Sequence, residues 1–328
     1  MASKIADPVL GERDQRLIAA LQCDGRLTAE RAGEVLGLSA RTVHRGWQAL
    51  MADGVCRVIT LPERSDAIGA LLLRIRVLGG KLDALTAALA ARPDIPFIDV
   101  STSGDEILAV SWTRPGTRDQ LVFRELPATR AVTSFTADTI LHVFAEATDW
   151  RHAVLTDGER AALTPVRSPE HKESDDADRA IIAALQDDAR IAAATVAART
   201  GYPESTVRRR IALLADTGRL LTHVVVDPKR LGLAIDANVM VRVAPGRLDA
   251  VGTALAGHPA VHGLFATTGA NNLHIAVWVR DLAHLYRFLT QDLGGLGVQG
   301  AETVIIGHAV KRPGRPAEPR LASPSAPA

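Results

Sequence analysis

The chain has 328 residues, 47% of them hydrophobic, and its 38 lysines and arginines almost balance its 37 aspartates and glutamates, leaving a formal net charge of +1. That length exceeds the roughly 250–300 residues over which one core usually stays single, so several domains are expected. The charge balance excludes a chain that coats nucleic acid over its whole surface, and the absence of any apolar run near ~18 residues excludes a helical membrane span. Nothing in residues 1–12 has a signal pattern, so the cytoplasm is the expected compartment.

In chain order, residues 12–61 read as three short helices and a strand. Ser39 caps the third helix, Val43, Trp47 and Leu50 form its buried stripe, and counting about 100° per residue exposes Arg41, Arg45 and Gln48, flanked by His44. Residues 67–150 give strand Ala70–Val77, helix Lys81–Ala91, strands Phe97–Thr102 and Glu106–Thr113, helix Arg118–Leu126 and strand Val132–Phe144. Residues 151–177 are polar and read as a linker with a short helix near Asp157–Leu163.

The chain then repeats itself. Asp14–Gly54 aligns without a gap with Asp178–Gly218, and about fifteen of some forty positions are identical, among them Arg26/Arg190, Thr42/Thr206 and Arg45/Arg209. Residues 178–227 are therefore a second helical unit. Asp178 is the expected cap of its first helix, Ala192–Thr200 forms its second, and Gly201 breaks the chain before a third helix that begins near Pro203. That helix buries Val207, Ile211 and Leu214 and exposes Ser205, Arg209 and Ala212, with Arg208 and Arg210 flanking. Residues 236–311 repeat the βαββαβ order, with Leu248, Val251 and Leu255 as one buried helical stripe and Leu282, Leu285 and Leu289 as the other. Residues 312–328, rich in proline, read as a disordered tail.

A tri-helical unit with a glycine-marked turn before its last helix is the helix-turn-helix pattern, and arginines on the outer face of that helix suit guanine edges and phosphates. The candidate contacts to double-stranded DNA are Ser39, Arg41, Thr42, His44, Arg45 and Gln48 in one head and Ser205, Thr206, Arg208, Arg209 and Arg210 in the other. The fold class is α+β, with two winged helix-turn-helix domains and two ferredoxin-like βαββαβ domains in tandem. One face of each βαββαβ sheet is covered by helices. Apolar residues such as Val241 and Val277 are expected on the other, so the two sheets should face one another within or between chains.

This order, with a Thr-Gly loop before the third strand of the βαββαβ domain, resembles the Lrp/AsnC family of feast/famine regulators. The resemblance implies DNA binding through the heads, sensor sheets that pair into a homodimer or higher oligomer, and an amino acid or similar small effector bound at the loop. The family's loop runs roughly Thr-Gly-x-x-Asp-Leu. Here the candidate effector residues are Thr268, Gly269, Ala270, Asn271 and Asn272 in the second copy, and Ser103, Gly104, Asp105 and Glu106 in the first. Asn272 stands where the acid is expected, and an amide offers an ammonium group only a neutral bond.

No catalytic triad, phosphate loop or dinucleotide fingerprint is present, so the chain reads as a non-enzyme with no cofactor. Cys23 and Cys56 lack metal-ligand or disulfide spacing, and Pro259 breaks the His258/His262 pair, so no metal is expected. Two alternatives remain. Sirohaem decarboxylases resemble the same architecture and also occur as fused pairs, in which case His142, His262, His274 and His308 would serve a tetrapyrrole. A regulator acting only through protein partners is the other.

Overall fold

The computed structural model describes residues 8–61, 69–114, 119–168, 174–315 and 317–318. The first repeat forms α1 (Glu12–Cys23), α2 (Ala29–Leu36), α3 (Ala40–Ala52), β1 (Cys56–Thr60), β2 (Gly69–Val77), α4 (Leu82–Ala90), β3 (Phe97–Ser101) and β4 (Glu106–Thr113). A wide π-turn over Leu121–Glu125 then leads into α5 (Leu126–Ala128) and β5 (Val132–Ala145), and α6 (Asp157–Leu163) follows. The second repeat forms α7 (Asp176–Ala184), α8 (Ala193–Thr200), α9 (Glu204–Asp216), β6 (Thr222–Val226), β7 (Ile235–Arg242), α10 (Leu248–Ala256), β8 (Val261–Thr267), β9 (Leu273–Val279), α11 (Leu282–Arg287) and β10 (Gly300–Lys311). Among the described residues no helix is long and apolar enough to cross a membrane.

Two compact units result, and they cut across the repeats. One gathers Pro8–Arg64 with Ala147–Leu231, so that it holds both tri-helical heads and α6; the other is built on Ser65–Glu146 and Gly232–Ala328 and holds both βαββαβ halves.

In the helical unit, side chains satisfy the free N–H groups at helix starts. Thr28 accepts from the Arg31 amide and Ser39 from the Thr42 amide, while Thr156 and Glu159 close a full capping box on α6. Asp178 is not the cap of α7. Asp175 caps it, and Asp178 is buried inside the first turn. Gly37 and Gly201 end α2 and α8 at φ +70° and +77°, the left-handed region that turns the chain toward the third helix. Leu17, Ile18, Leu21, Val43, Trp47 and Leu50 bury the core of the first head, where Trp47 Nε1 donates to the Leu17 carbonyl at 3.0 Å. Each such side chain contributes about 1.5–3 kcal/mol by leaving water. Ile181, Leu185, Val196, Val207, Ile211 and Leu214 repeat the arrangement in the second head. Strands β1 and β6 pair antiparallel, from Cys56 opposite Val226 to Thr60 opposite Thr222, which joins the heads through one ribbon.

In the other unit the strands close into a barrel in the order β10-β3-β4-β2-β5-β8-β9-β7. Closure depends on two long strands. At ~3.3 Å per residue, β5 with 14 residues and β10 with 12 can each serve two sheets. β5 pairs with β2 up to Thr139 and then with β8 from Ile140, whereas β10 pairs with β7 up to Ile305 and then with β3 from Ile306. The junctions are related by the repeat: Thr102 N–H donates to the Ile305 carbonyl at 2.9 Å, and Thr268 N–H donates to the Thr139 carbonyl at 3.0 Å. The sheet-to-sheet contact expected within or between chains is thus made inside one chain.

Three sequence expectations are corrected here. Val241 and Val277 do not lie on the open face; with Val239 and Ile275 they pack under Val251, Leu255, Leu285 and Phe288 of the covering helices. The alternate positions face inward, where Leu108, Met240, Val304 and Ile306 form a small apolar cluster from both halves. Leu282 is exposed, because it opens α11 directly after the Asp281 cap, and Phe288 in the π-turn that continues α11 takes its place in the core. Arg312 is held in buried ion pairs, so the tail does not begin there. Residues 316 and 319–328 of that predicted tail lie outside the described residues.

Candidate nucleic-acid interface

Helices α3 and α9 are 13 residues each and bury equivalent stripes: Val43, Trp47 and Leu50 in one, Val207, Ile211 and Leu214 in the other. The opposite faces carry the predicted contacts. Arg41, His44, Arg45 and Gln48 are exposed on α3, and Ser205, Arg208 and Arg209 on α9, while Thr42 and Thr206 are half-buried at the helix starts. Arg45 and Arg209 occupy the same position in the two repeats, and neither makes an ion pair among the described residues. Two guanidiniums with no protein partner are thus presented on helices of a width suited to a major groove.

Some predicted contacts have other work. The Ser39 hydroxyl lies 2.8 Å from Thr42 Oγ1 and accepts from the Thr42 amide, so both hydroxyls are engaged in the cap. Arg208 bonds to Glu204 one turn earlier but keeps 74% of its side chain exposed. Arg210 is the correction. Its Nη1 donates to Asp175 Oδ1 and Oδ2 at 2.8 Å and to Asp178 Oδ1 at 2.6 Å, and only 25% of its side chain is exposed. Asp178 in turn pairs with Arg219 at 3.1 Å, both nearly buried, so Arg210 belongs to the head's internal ion network rather than to its outer face. The first head has Gly46 at that position, where a Cβ would come within 2.5 Å of Leu17 Cδ1, so α3 sits directly on α1 without a charge between.

The loop residues predicted to hold an effector are largely committed to the barrel. Asn272 Oδ1 accepts from the Val243 amide and its Nδ2 donates to the Val243 carbonyl, both at 2.9 Å, which makes its side chain a substitute for a strand partner. Thr268 Oγ1 accepts from the Thr139 amide at 2.9 Å, and Gly269, at φ +97°, lies so close to Asp138 that a Cβ would come within 2.4 Å of its Oδ1. Glu106 is buried, with Arg74 Nε 2.7 Å from Oε1, and Arg74 also donates to both oxygens of Glu302 at 2.8 Å. Ser103 donates to Asp105 Oδ1 at 2.5 Å, closing the first loop on itself. Ser103, Gly104, Asp105, Thr268, Gly269 and Ala270 are exposed, and Asn271 is half-buried. Sequence reasoning named Glu106 but missed Arg74 and Glu302, because Glu302 reaches Arg74 only through the barrel closure that brings β10 to the first half.

Two tri-helical heads that present basic third helices, joined in one chain to a closed pair of βαββαβ halves, define a helix-turn-helix transcriptional regulator. Comparison with known proteins agrees. The AsnC-type helix-turn-helix domain matches residues 12–51 and 175–214, and the Lrp/AsnC ligand binding domain matches residues 236–316. An uncharacterized HTH-type transcriptional regulator of Pyrococcus horikoshii is 34% identical over 136 residues, covering 41% of this chain and 86% of that protein. The HTH-type transcriptional regulator FL11 of the same organism is 31% identical over 135 residues, covering 40% and 88%. The chain belongs to the Lrp/AsnC family of HTH-type transcriptional regulators. Among solved structures, the siroheme decarboxylase NirDL, in co-complex with an iron-uroporphyrin III analogue, superposes with a TM-score of 0.57 at 15% identity, covering 92% of this chain and 93% of its own. That likeness extends the fold over both repeats.

Proposed function

We propose that this chain binds DNA sequence-specifically with both heads, in the compartment that holds its genome, and that its barrel takes a small effector. The observation that supports this reading most strongly is the pair Arg45 and Arg209: equivalent, exposed and without ion-pair partners, whereas Arg210 next to one of them is consumed by carboxylates. Arginines held for structure find partners, and these two face outward from the helix type that enters a major groove. Because the barrel and the β1–β6 ribbon supply within one chain the pairing that a homodimer would make between chains, one chain is the minimal DNA-binding unit. Further assembly would join such units.

The fold shared with NirDL raises a second reading, tetrapyrrole decarboxylation. The four histidines cast for it are engaged otherwise. His142 packs edge-on against Phe144, His262 stacks on Trp278, His274 bonds to Asn238 and His308 bonds to the Glu318 carbonyl. Burial also pulls the His274 ring down to a pKa of about 4, so it is neutral at pH 7 and gives an anionic substrate no charge. Footprinting of genomic fragments retained by the purified chain tests the regulator reading. Discrete protected sites support it; no protection, together with a visible absorption band on adding an iron-uroporphyrin, would replace it with the enzyme reading.

A further inference from the structure

One end of the barrel holds a buried charged group that the repeat did not copy. Arg312, just beyond β10, donates through Nη2 to Asp99 Oδ1 and Oδ2 at 2.9 Å and to Asp236 Oδ2 at 2.7 Å. Asp99 comes from β3 of the first half and Asp236 from β7 of the second. The guanidinium lies 6.0 Å over the Trp278 ring, and His262 stacks on the same ring with centroids 3.7 Å apart. One guanidinium therefore faces two carboxylates. His262, only 8% exposed, aims Nε2 at Asp236 Oδ1 from 3.8 Å, longer than a normal hydrogen bond. A buried carboxylate oxygen and a buried ring nitrogen that meet only at this distance call for an explanation.

The register shows that this is a specialised end. Asp236 opposes Trp278 as Ala70 opposes Trp112, and Asp99 opposes Leu108 as Phe265 opposes His274. Where the second half has Asp236 the first has Ala70, Phe265 stands in the place of Asp99, and Glu146 stands in the place of Arg312. Plain barrel closure needs neither carboxylate, since the other end closes without them. Arg312 is also no core residue of a strand: the chain turns back after it, with the Glu318 amide donating to the Val310 carbonyl at 2.8 Å.

We propose that the cradle of Asp99, Asp236, His262 and Trp278 binds the free guanidinium of a small molecule, and that Arg312 is its tethered, displaceable occupant. Two carboxylates arranged for a planar fork, with an aromatic face beside them, match that group and discriminate against a neutral urea of the same shape. The site takes one ligand per chain, draws on both halves of the barrel, and couples its filling to release of the segment after β10. This deepens the effector reading above by naming the effector's chemistry, yet it is tested without DNA, so its failure leaves DNA recognition standing.

The experiment is a calorimetric titration of the full chain and of its Arg312→Ala variant with agmatine, and with citrulline as the neutral comparison. Removing a tethered competitor should tighten agmatine binding by about tenfold or more, with one site per chain, citrulline should bind neither protein, and adding Asp236→Asn should abolish the gain. If Arg312→Ala does not fold, Arg312→Gln keeps the stem and takes its place, and hydrogen exchange at the Glu318 amide of the unaltered chain should quicken with agmatine. Agmatine binding that is no tighter in the variant, citrulline binding equal to it, or unchanged Glu318 exchange would overturn the proposal.

Discussion

Arg26 and Arg190, equivalent residues of the two repeats, each bond to the backbone of the opposite head. Arg26 Nη1 donates to the Ala189 carbonyl, and Arg190 donates to the carbonyls of Gly25 at 2.7 Å and Leu27 at 3.1 Å while its guanidinium lies 4.9 Å over Trp47. The exchange is reciprocal, as in a symmetric dimer, but both partners are on one chain. Gly25 makes it possible, since a Cβ there would meet Thr222 Oγ1 at 2.5 Å.

Arg190→Ala should therefore cost more than Arg26→Ala. The first removes two charge-assisted bonds and the contact over Trp47, for about 2–3 kcal/mol, and the second removes one bond, for about 1–2 kcal/mol. Urea unfolding of the two variants checks the order, and equal losses would show that neither the second bond nor the Trp47 contact adds to stability.

Gly269→Ala should destabilise the barrel by about 1–3 kcal/mol, because it combines φ +97° with a close approach to Asp138. Adding Asp138→Ala should recover only the steric part. Full recovery would show that the backbone angle costs nothing.

Stability should fall as the pH drops from about 6.5 toward 4. Burial holds the folded-state pKa of His274 near 4 and also lowers that of His262, so between the unfolded value and these the unfolded chain binds more protons and gains on the folded one. Asp99, raised to about 6 by burial, runs the other way, because its folded form takes up a proton first. His274→Gln isolates the histidine. It should be less stable at pH 7 for want of the 2.8 Å bond to Asn238, yet lose less than the parent chain on going to pH 4.5. Parallel pH profiles would contradict the assignment.

Arg209→Ala should weaken DNA binding and leave the unfolding midpoint unchanged, whereas Arg210→Ala should lower stability by about 1–2 kcal/mol through the loss of its bonds to Asp175 and Asp178. A stability loss in the Arg209 variant would mean that its side chain has a partner in the folded head.

Local chemistry made much of this legible in sequence. Ser39, Gly37 and Gly201 act within one turn of the chain, and the stripes Val43/Trp47/Leu50 and Val207/Ile211/Leu214 follow helical spacing alone, so the heads and their outward arginines could be read directly. What failed depended on partners far along the chain. Counting residues placed Arg210 on the flank of α9 but could not reveal Asp178 beneath it, 32 positions away. The alternation of β7 and β9 showed two faces without saying which the helices cover, and Val241 was put on the wrong one. Arg26 and Arg190 were visible only as identities between repeats, since their carbonyl partners leave no trace in side-chain identity.

We expect the two heads to read different DNA through Arg45 and Arg209, and footprinting of Arg45→Ala and Arg209→Ala on one protected site tests this most directly. The exposed sets differ, with Arg41, Arg45 and Gln48 on α3 and Ser205, Arg208 and Arg209 on α9, so the site should be asymmetric. Each variant should lose protection over a different half, with Arg209→Ala costing on the order of 1–3 kcal/mol, as for a lost base contact. Equal weakening of the same positions by both variants would contradict the claim and reduce these arginines to phosphate clamps.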